Sequence, residues 1–516
     1  MELSELLSAC GVRATGKPSG PVRVCDLTED SRTVLPGSLF VARRGLKADG
    51  RKFVRDAVEA GAVAVLTDDA GIAEGAHVPV VVVSDVALAT AKLAEKFYGD
   101  PSSRLAVIGV TGTNGKTTTT YLVWQILNQI GVRCGMIGTV EIDDGVSVSA
   151  ASMTTPPAIE VSRSLGVMVE NGCRAVVMEM SSHALDQRRV DGLAIDVGVF
   201  TNLTGDHLDY HKTMEGYGAA KARLFSMIGK QGTAVVNADD PWSARMVRGC
   251  DASVVRCGAK GKGDATAGVL GESIEGMDLK LKGPWGSFDA SVPLIGSYNA
   301  MNTLQAVAAC FAGVGEDRAM TPGAVCGALA AVKAPPGRLE PVRARPPRPR
   351  AKAGGPMVFV DFAHSDDALR NVLTAVRGAM GRKGKLWAVF GCGGDKDRTK
   401  RPRMGLAAAE IADRVVVTSD NPRSEKPSAI VEEILSGIPE KLRPKVEVQV
   451  ERMPAIRHAI THAAPGDVVV LAGKGHETEQ ILSDERGNLV KVHFDDREVA
   501  GKIVAELASY RTKGGA

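Results

Sequence analysis

The sequence is poor in aromatic side chains, which make up 4% of its 516 residues, and it contains no long apolar run. Without a stretch of about 18 apolar residues, a membrane-spanning helix is not expected. The nine cysteines are scattered singly, with no C-x-x-C pair, which predicts reduced thiols rather than a disulfide framework. The acidic start, Met1 to Glu5, lacks the basic and apolar segments of a secretory signal, so we expect a cytoplasmic protein.

An excess of charge of one sign is also missing. The balance of 63 Lys and Arg against 60 Asp and Glu gives a formal net charge of +3, and 44% of the residues are hydrophobic. This composition is typical of a folded globular protein and argues against a disordered chain or a broadly basic nucleic-acid binder. The Pro/Arg-rich run at 343–350 contains no interleaved aromatic residue, so it predicts a linker or surface loop rather than an RNA-binding arm.

What the sequence does contain is glycine, 58 residues of it, and short apolar runs that alternate with helical patterns. Predicted buried strands lie at 62–66, 78–83, 105–110, 175–178, 197–200, 234–237, 357–360, 386–390, 415–418 and 468–471. Predicted helices lie at 117–130, 300–309, 366–379 and 428–435. The alternation predicts the α/β class with mostly parallel sheets, and the length suggests about three domains at roughly 150 residues each. We expect a small α/β domain at 1–100, a central nucleotide-binding domain at 101–334 and a C-terminal, Rossmann-like α/β domain at 335–516.

A glycine-rich segment between a predicted strand and a helix carries the first functional signal. It runs from Gly109 to Thr117 and ends in Gly115-Lys116-Thr117. Backbone N–H groups in such a turn can surround phosphate oxygens, the lysine can reach the terminal phosphates, and the threonine hydroxyl can bind Mg²⁺. The spacing departs from G-x-x-x-x-G-K-T, because Val110 stands where that pattern has its first glycine. A purely structural glycine turn is the alternative.

Two polar clusters follow later strands of the same region. Glu179 ends a predicted buried strand, at the sheet edge where open α/β sheets bind ligands, and is therefore a candidate Mg²⁺ ligand. The segment Thr201 to His211 follows the next strand and contains His207. A histidine taken singly is more often structural than a ligand, but its position at the end of a strand favours a functional role.

Nine blocks of the sequence form a recognisable series. They are T-G-T-N-G-K-T-T from Thr111, E-M-S-S-H-A-L from Glu179, T-N-L-x-x-D-H-L-D-Y-H from Thr201, A-A-K-A-R-L-F from Ala219, G-S-Y-N-A-M-N from Gly296, P-G-R-L-E from Pro336, D-F-A-H from Asp361, G-C-G-G-D from Gly391 and G-K-G-H-E from Gly473. In type and order these blocks resemble the Mur ligase family over nearly the whole chain. Asp30-Ser31-Arg32, Pro36-Gly37, Asp49-Gly50 and the block Asp420 to Arg423 are similar to the member that adds the third amino acid.

The resemblance implies an ATP-dependent ligase with Mg²⁺ that joins an amino acid to UDP-N-acetylmuramoyl-L-alanyl-D-glutamate through an acyl phosphate, in bacterial peptidoglycan precursor synthesis. The small first domain would bind the UDP substrate. Lys116 would neutralise phosphate charge, while Thr117, Glu179, His207 and Lys221 would hold metal ions. Lys221 would act as a carbamate, N6-carboxylysine, because an ammonium repels Mg²⁺ whereas a carbamate supplies hard oxygen ligands. Without the resemblance, Lys221 would be taken for a solvent-exposed helix lysine.

The resemblance also implies substrate contacts. For ATP they are Gly112, Thr113, Asn114, Gly115, Lys116, Thr117, Thr118, Asn299, Asn302, Arg338 and Asp361, with closure of the third domain completing the site. For the UDP substrate they are Ser31, Thr154, Thr155, Ser181, Gln187 and Arg189. From spacing alone, Asn299 and Asn302 could instead be a helix cap and a buried interface residue. Thr154-Thr155 could equally be a simple turn before Pro156. The adjacent Arg188 leaves the assignment of Arg189 open by one position.

For the incoming amino acid, the resemblance points to Lys396, Asp420, Asn421, Pro422, Arg423, Gly473 and Glu477. A planar guanidinium can hold the distal carboxylate of meso-diaminopimelate in two parallel hydrogen bonds, so Arg423 favours that amino acid over lysine. Glu477 would pair with the distal ammonium. Lys396 stands where diaminopimelate-adding relatives have Arg, Gly205 where relatives often have Arg, and Ser365-Asp366 where Thr-Pro is usual.

Three alternatives stay open on sequence alone: an L-lysine-adding ligase of the same type, a ligase similar to folylpolyglutamate synthase, and a nucleotide-dependent switch or scaffold without turnover. The second would not need the block Asp420 to Arg423 or a UDP-binding first domain. The third is disfavoured because Lys116, Glu179, His207 and Lys221 occur together. We expect small-molecule substrates, no nucleic acid, no membrane insertion and a monomer.

Overall fold

The computed structural model describes residues 1–11, 20–45, 48–73, 76–259, 261–315, 317–342, 355–381, 384–484 and 486–513. The Pro/Arg-rich run at 343–350 lies outside the described residues. The chain divides into two compact units. Unit 1 comprises Met1–Ala267, Leu281–Ser287 and Met301–Ala328, and unit 2 comprises Gly268–Lys280, Phe288–Ala300 and Leu329–Ala516. Among the described helices, none combines the length and apolar character needed to cross a bilayer.

Unit 1 begins with a four-stranded parallel sheet. Its elements are α1 (Leu3–Ala9), β1 (Asp26–Thr28), β2 (Ser38–Ala42), α2 (Val54–Glu59), β3 (Ala64–Thr67), β4 (Val80–Val82) and α3 (Val86–Phe97), with short 3₁₀ turns at Ser31–Thr33, Gly50–Phe53, Ala70–Ala73 and Pro101–Arg104. The strand order is β1-β2-β3-β4. Asp85 begins α3 by accepting a hydrogen bond from the Leu88 N–H, and the leucines of α1 pack with those of β1 and β2 in the core of this sheet.

The central part of the chain has a larger, mostly parallel sheet. Its elements are β5 (Ala106–Thr111), α4 (Lys116–Gln129), β6 (Cys134–Ile137), β7 (Glu141–Asp143), β8 (Val148–Ala150), α5 (Ala158–Glu170), β9 (Ala175–Glu179), α6 (Ser182–Asp186), β10 (Ile195–Phe200), α7 (Leu208–His211), α8 (Met214–Ser226), β11 (Ile228–Asn237), α9 (Ser243–Met246) and β12 (Ser253–Gly258). These strands lie in the order β12-β11-β10-β5-β9-β6-β7-β8; β7 pairs antiparallel with both β6 and β8, and the other neighbouring pairs are parallel. Because β5, β9 and β10 are neighbours and parallel, their carboxyl ends meet at one sheet edge.

The chain continues through β13 (Ala265–Ser273), β14 (Gly276–Gly283), β15 (Gly286–Val292), α10 (Ser297–Val314) and α11 (Pro322–Ala331). The remaining elements, all in unit 2, are β16 (Glu340–Pro341), β17 (Met357–Asp361), α12 (Asp366–Met380), β18 (Leu386–Phe390), α13 (Lys400–Ile411), β19 (Arg414–Val417), α14 (Pro427–Ser436), a 3₁₀ turn (Glu440–Lys445), β20 (Val446–Val448), α15 (Arg452–His462), β21 (Val468–Ala472), β22 (Glu479–Ser483), β23 (Leu489–His493) and α16 (Asp496–Lys513).

The sheet of unit 2 has the order β16-β17-β21-β18-β19-β20, parallel except at β16, and β22 and β23 form a separate antiparallel hairpin. Apolar clusters cover both faces of the six-stranded sheet, which explains why its strands read as continuous apolar runs. The predicted α/β class with mostly parallel sheets is confirmed, and each predicted strand and helix is present with shifts of a few residues at its ends. The apolar runs did not predict β1, β2, β6 to β8, β12 to β16, β20, β22 or β23.

Candidate functional site

The glycine-rich turn joins β5 to α4 at the carboxyl edge of the central sheet. Gly112 has φ +148°, and a Cβ there would collide with the Thr201 hydroxyl. Gly115 has φ +84°, and a Cβ there would lie 2.6 Å from Oδ1 of Asn302. Both positions therefore require glycine. The turn ends where α4 begins at Lys116, so its backbone N–H groups lie at a helix N-terminus, which favours anions.

The segment after β10 holds this turn in place. Thr201 Oγ1 donates to the Asn114 carbonyl oxygen at 2.6 Å, and the Asn114 N–H donates to Oδ1 of Asn202 at 3.0 Å. The Thr113 N–H donates to the Asn202 carbonyl oxygen at 2.9 Å. The block that begins at Thr201 thus positions the glycine-rich turn, which we call the phosphate loop because it is the candidate site for phosphate binding.

Two lysine ammonium groups converge on one carbonyl oxygen of the loop. Lys116 Nζ lies 3.0 Å from the Gly112 oxygen and 2.8 Å from that of Thr113, and Lys221 Nζ lies 2.7 Å from the Gly112 oxygen. Lys221 is 1% exposed, and its ammonium lies 4.5 Å from the centre of the Tyr217 ring. Burial holds the pKa of Lys221 well below its ordinary value, and the charge of Lys116 acts in the same direction. Lys221 is therefore not the exposed helix lysine of the alternative interpretation.

Glu179 is a fully buried carboxylate beside the loop. Its Oε2 accepts from the hydroxyls of Thr117 and Thr139, both at 3.1 Å, and its Oε1 accepts from the Thr139 N–H at 2.8 Å. Within the described residues, no three side chains of the types His, Cys, Asp and Glu are grouped as metal ligands. The metal ligands predicted from the resemblance are of mixed type: the Glu179 carboxylate, the Thr117 hydroxyl, His207 and Lys221. Of these, the Thr117 hydroxyl contacts Glu179 directly.

His207 belongs to a cluster of aromatic rings next to Lys221. Its ring centre lies 4.9 Å from that of His183 and 6.1 Å from that of Tyr217, the ring that also contacts Lys221. The side chain of His207 is 48% exposed and its Nε2 lies 3.5 Å from the Asp206 carboxylate. The cluster continues through Tyr210 and His211. Tyr217 thus connects His207 with Lys221, whereas no described hydrogen bond or ion pair joins His207 to Glu179.

Most of the predicted UDP-substrate residues lie in one hydrogen-bonded chain around Thr155. Its hydroxyl donates to the Glu179 carbonyl oxygen at 2.8 Å and accepts from the Ser181 N–H at 3.1 Å, while Arg189 Nη1 donates to its carbonyl oxygen at 2.7 Å. Arg189 also donates to Oε1 of Gln187 at 2.7 and 3.2 Å. Thr154 joins through the Thr139 hydroxyl, 3.2 Å away. Burial lowers the pKa of Arg189, which marks a partly desolvated guanidinium.

The two neighbouring arginines, Arg188 and Arg189, have different partners in the structure. Arg188 forms ion pairs of 2.9 Å with Asp85 and with Asp191, so its guanidinium is neutralised by two carboxylates of the protein. Arg189 is the one that contacts the predicted substrate residues. Ser31 begins the 3₁₀ turn that Asp30 caps, and no described hydrogen bond or ion pair joins Ser31 to the other predicted substrate residues.

The predicted adenine-side and third-domain residues occupy ordered positions. Asn299 and Asn302 lie in the first two turns of α10, both buried; Asn299 Nδ2 donates to the Ile295 carbonyl oxygen at 2.8 Å. In unit 2, the Asp361 carboxylate accepts from the N–H groups of Leu339 at 2.7 Å and Ala363 at 2.8 Å. Burial raises the pKa of Asp361, while the Arg338 charge acts in the opposite direction. Arg338 itself stacks over the Phe362 ring at 4.7 Å.

The predicted amino-acid pocket lies after β19 and β21 of unit 2. Asn421 Nδ2 donates to Oε2 of Glu477 at 2.8 Å. Arg423, with φ +52°, donates from Nη1 to the Gly394 carbonyl oxygen at 2.8 Å. Gly473 has φ +112°, and a Cβ there would lie 3.3 Å from Oδ2 of the buried Asp420. The side chains of Asn421 and Glu477 therefore lie together, with Arg423 two residues along the same loop.

Two predicted residues, Pro422 and Lys396, and the positions at which this sequence differs from the family pattern lie in loops or at a helix start. Pro422 packs its carbonyl against Gly394, and Lys396 is an exposed residue of the loop after β18. Ser365 caps α12 by accepting from the Ala368 N–H at 3.3 Å, so Ser365-Asp366 still begins this helix. A side chain at Gly205 would meet no atom within 4 Å at its Cβ, so nothing in the structure explains the glycine.

Two residues of these sites escaped sequence reasoning. Thr139 donates hydrogen bonds to Glu179 through both its N–H and its hydroxyl. It follows the carboxyl end of β6, and a polar residue in that position is a sequence signal for a ligand site. In the sequence, Lys474 is only one residue of the block G-K-G-H-E, with no role of its own. In the structure its side chain is fully buried and donates to Glu477 at 3.2 Å. A buried lysine has no signature in a single sequence, because its burial depends on residues distant along the chain.

Comparison with known families gives three consecutive matches. Residues 26–98 match the model described as "Mur ligase family, catalytic domain", residues 110–310 match the "Mur ligase middle domain", and residues 337–475 match the "Mur ligase, glutamate ligase domain". These matched ranges together span most of the chain, in the order that the sequence blocks indicated.

Similar curated proteins cover nearly the full length. A UDP-N-acetylmuramoyl-L-alanyl-D-glutamate--2,6-diaminopimelate ligase of Gloeobacter violaceus is 42% identical over 509 residues, covering 99% of each chain. The ligase of the same name from Geobacillus thermodenitrificans is 42% identical, covering 98% of this chain and 100% of its own. A solved structure of an enzyme of that name superimposes with a TM-score of 0.70 at 29% identity, covering 98% of this chain and 99% of the other.

Proposed function

The chain belongs to the Mur ligase family, and we propose that it adds meso-2,6-diaminopimelate to UDP-N-acetylmuramoyl-L-alanyl-D-glutamate with release of ADP and phosphate. Relatives that carry this activity in their names are 40–43% identical over nearly their whole length. The chain is accordingly an ATP-dependent ligase that forms a carbon–nitrogen bond. The proposal includes action as a monomer in the bacterial cytoplasm and domain limits at 1–100, 101–334 and 335–516.

The observation that carries the choice of amino acid is the arrangement of Arg423 beside Asn421 and Glu477. The Arg423 guanidinium is held by the Gly394 carbonyl oxygen through Nη1, and within the described part of the chain its Nε and Nη2 groups make no hydrogen bond, so they are available for a planar carboxylate. The Glu477 carboxylate, held by Asn421, supplies a negative charge for an ammonium. A distal centre with both a carboxylate and an ammonium, as in diaminopimelate, matches these two charges, whereas lysine matches only the second.

Mg²⁺ fits the residues near the phosphate loop. Glu179 and the Thr117 hydroxyl present hard oxygen atoms, and a carboxylate this deeply buried calls for a compensating positive charge. With His207 and a carbamate on Lys221, they would hold the ion, which supplies charge neutralisation at the phosphates. The low pKa of Lys221 supports the carbamate, because only a neutral amine reacts with CO₂.

The protein's own residues contribute positioning and charge to the reaction. A substrate carboxylate that attacks the γ-phosphate meets like-charge repulsion, and Lys116 at the start of α4 reduces it. The resulting acyl phosphate is then attacked by the amine of the incoming amino acid, which forms the amide and releases phosphate. Thr155, Ser181 and Arg189 would orient the UDP substrate for both steps, since an arginine and hydroxyls suit pyrophosphate and carboxylate groups.

The L-lysine-adding ligase is the nearest second candidate, because Lys396 keeps the charge but loses the bidentate fork of the arginine found in diaminopimelate-adding relatives. A folylpolyglutamate synthase of Mycobacterium tuberculosis superimposes with a TM-score of 0.58 at 21% identity over 75% of this chain, which is a likeness of fold only.

The deciding experiment measures phosphate release from ATP in the presence of UDP-N-acetylmuramoyl-L-alanyl-D-glutamate, with meso-diaminopimelate or L-lysine added in parallel, and determines the product mass. Turnover with diaminopimelate alone is expected. Turnover with lysine alone would replace the proposed amino acid, and absence of an amide product with both would overturn the proposed function.

A further inference from the structure

Lys474 is a lysine whose side chain has no solvent exposure, in the turn between β21 and β22. Its neighbours Gly473 and Gly475 both have positive φ, +112° and +56°, so the chain turns sharply on either side of it. A Cβ at Gly475 would lie 2.6 Å from Cβ of Phe362, which shows how tightly the turn is packed. Burying an ammonium is costly unless every N–H finds an acceptor.

The Lys474 ammonium finds three acceptors. Nζ lies 2.6 Å from the Glu479 carbonyl oxygen, 3.2 Å from Oε2 of Glu477 and 3.3 Å from Oδ1 of Asn421. Asn421 Nδ2 donates to the same Oε2 of Glu477 at 2.8 Å, and the Ile481 N–H donates to Oδ1 of Asn421 at 3.0 Å. Lys474, Asn421 and Glu477 therefore form a closed ring of hydrogen bonds anchored to the β22 backbone.

This ring fixes two orientations at once. Because an ammonium only donates, Oδ1 of Asn421 must face Lys474 and the amide nitrogen must face Glu477. Both donors converge on Oε2 of Glu477, whereas Oε1 has no hydrogen bond within the described part of the chain. The Glu477 side chain is 37% exposed, so Oε1 is available to a ligand while Oε2 is held.

We propose that Lys474 is a positioning residue for the incoming amino acid: its buried ammonium holds Asn421 and Oε2 of Glu477 so that Oε1 of Glu477 receives the substrate's distal ammonium. The inference rests on the proposed function. It assigns to Lys474 an action through Glu477, not a contact with the substrate. The proposal also explains why Lys474, a cation, lies beside Glu477, the carboxylate proposed to bind the substrate's ammonium. The Lys474 ammonium donates its hydrogen bonds to Oε2 of Glu477 and to two neutral oxygens, those of Glu479 and Asn421, and leaves Oε1 to the substrate.

The test compares Lys474→Met, which keeps an unbranched side chain one atom shorter and removes the charge, with Lys474→Gln, which keeps a donor for the Glu479 carbonyl oxygen. Lys445→Met is the matched control, since Lys445 donates at 2.8 Å to the Ala412 carbonyl oxygen in the same unit without contacting Glu477. We expect the KM for diaminopimelate to rise about tenfold in the Lys474 variants, as for loss of a hydrogen bond to a charged group. The KM for ATP should stay within about twofold, because the ATP contacts are retained.

A double-mutant cycle with Glu477→Gln separates positioning from general stabilisation. If Lys474 acts through Glu477, the two effects on the KM for diaminopimelate are not additive. Additive effects of the two substitutions would overturn the proposal, and so would a rise in the KM for ATP equal to the rise in the KM for diaminopimelate. Loss of the wild-type circular dichroism spectrum in both Lys474 variants would also overturn it, because the lysine would then be needed for the fold.

The wild-type enzyme is measured first with each amino acid, which tests the proposed function separately. L-lysine also carries a distal ammonium, so if lysine proves to be the substrate, the same variants are compared with lysine and the expectation for Lys474 is unchanged.

Discussion

Nζ of Lys221 lies 2.7 Å from the carbonyl oxygen of Gly112, the oxygen that also accepts a hydrogen bond from Lys116. Burial disfavours the charged form of Lys221, and the nearby charge of Lys116 adds to that effect, so the pKa of Lys221 lies well below its ordinary value. The fold thus favours the neutral amine form of Lys221 over its ammonium form. This relationship connects the loop geometry with the chemistry that the family resemblance assigns to Lys221.

Replacing Lys221 by arginine should lower kcat by roughly 100-fold or more, because arginine keeps the positive charge but cannot form a carbamate that binds a metal ion. Intact mass measured after exposure to bicarbonate should show one added CO₂ in the wild type and none in Lys221→Arg. Lys212→Arg, at an exposed lysine, is the control. Full activity of Lys221→Arg would rule out the carbamate.

Lys116→Ala should abolish measurable turnover, because the charge at the terminal phosphates is lost together with the loop contacts to Gly112 and Thr113. The expected decrease in kcat is on the order of 1000-fold. Lys96→Ala removes a lysine from a surface ion pair with Asp100 and should leave kcat unchanged. Amide formation retained in Lys116→Ala would refute its assigned role.

Thr139→Val should raise the Mg²⁺ concentration needed for half-maximal activity and lower kcat about tenfold, because Glu179 loses one of its three hydrogen bonds. Thr139→Ser restores the hydroxyl and should recover most of the loss. Binding of Mn²⁺ in the absence of turnover, followed by electron paramagnetic resonance, gives a second readout. Equal behaviour of the serine and valine variants would show that the hydroxyl does not position Glu179.

The predicted strands could be recognised because strands buried on both faces appear as apolar runs, as in Leu386–Phe390, which the structure reproduces without a shift. The short strands β7 and β8 were missed because their residues are only partly buried or exposed and show no periodicity. Candidate site residues could be proposed from the sequence where they stand in contiguous blocks, as around Lys116.

The contacts between blocks were not predictable from one sequence. That Thr139 binds Glu179, 40 residues away, follows from β6 and β9 being neighbours in the sheet, a fact of topology. The choice between Arg188 and Arg189 likewise needed Asp85, which is 103 residues before Arg188 in the chain and holds its guanidinium. The resemblance proposes the residues, and the fold shows which partners each of them has.

Arg423→Ala should raise the KM for diaminopimelate far more than the KM for ATP. Loss of a bidentate contact to a carboxylate corresponds to a rise of about 10- to 100-fold. Arg398→Ala, which removes a solvent-exposed arginine paired with Glu433, is the control and should leave both constants unchanged. If both KM values rise equally in Arg423→Ala, the arginine does not select the amino acid.

His476 should make the stability of unit 2 depend on pH in the acidic range. Burial, together with the charge of Arg338, lowers the pKa of His476 from 6.5 to about 4. Between these values the unfolded chain binds a proton that the folded chain does not, so stability falls as the pH decreases from about 6.5 to about 4. The full shift corresponds to at most about 3 kcal/mol. Well above pH 6.5, where His476 is unprotonated in both states, the contribution vanishes.

Calorimetric unfolding of wild type and His476→Gln at several pH values checks this expectation. Glutamine cannot titrate, so its own cost is a constant offset, and the difference in melting temperature between the two proteins should change only below about pH 6.5. His493→Gln, at an exposed histidine paired with Glu498, is the control for histidine loss without burial. A difference that stays constant from pH 7 to about pH 4 would mean that His476 takes up a proton in the folded protein as readily as in the unfolded chain. The contact of its ring with Phe362 would then have to tolerate a charge beside Arg338.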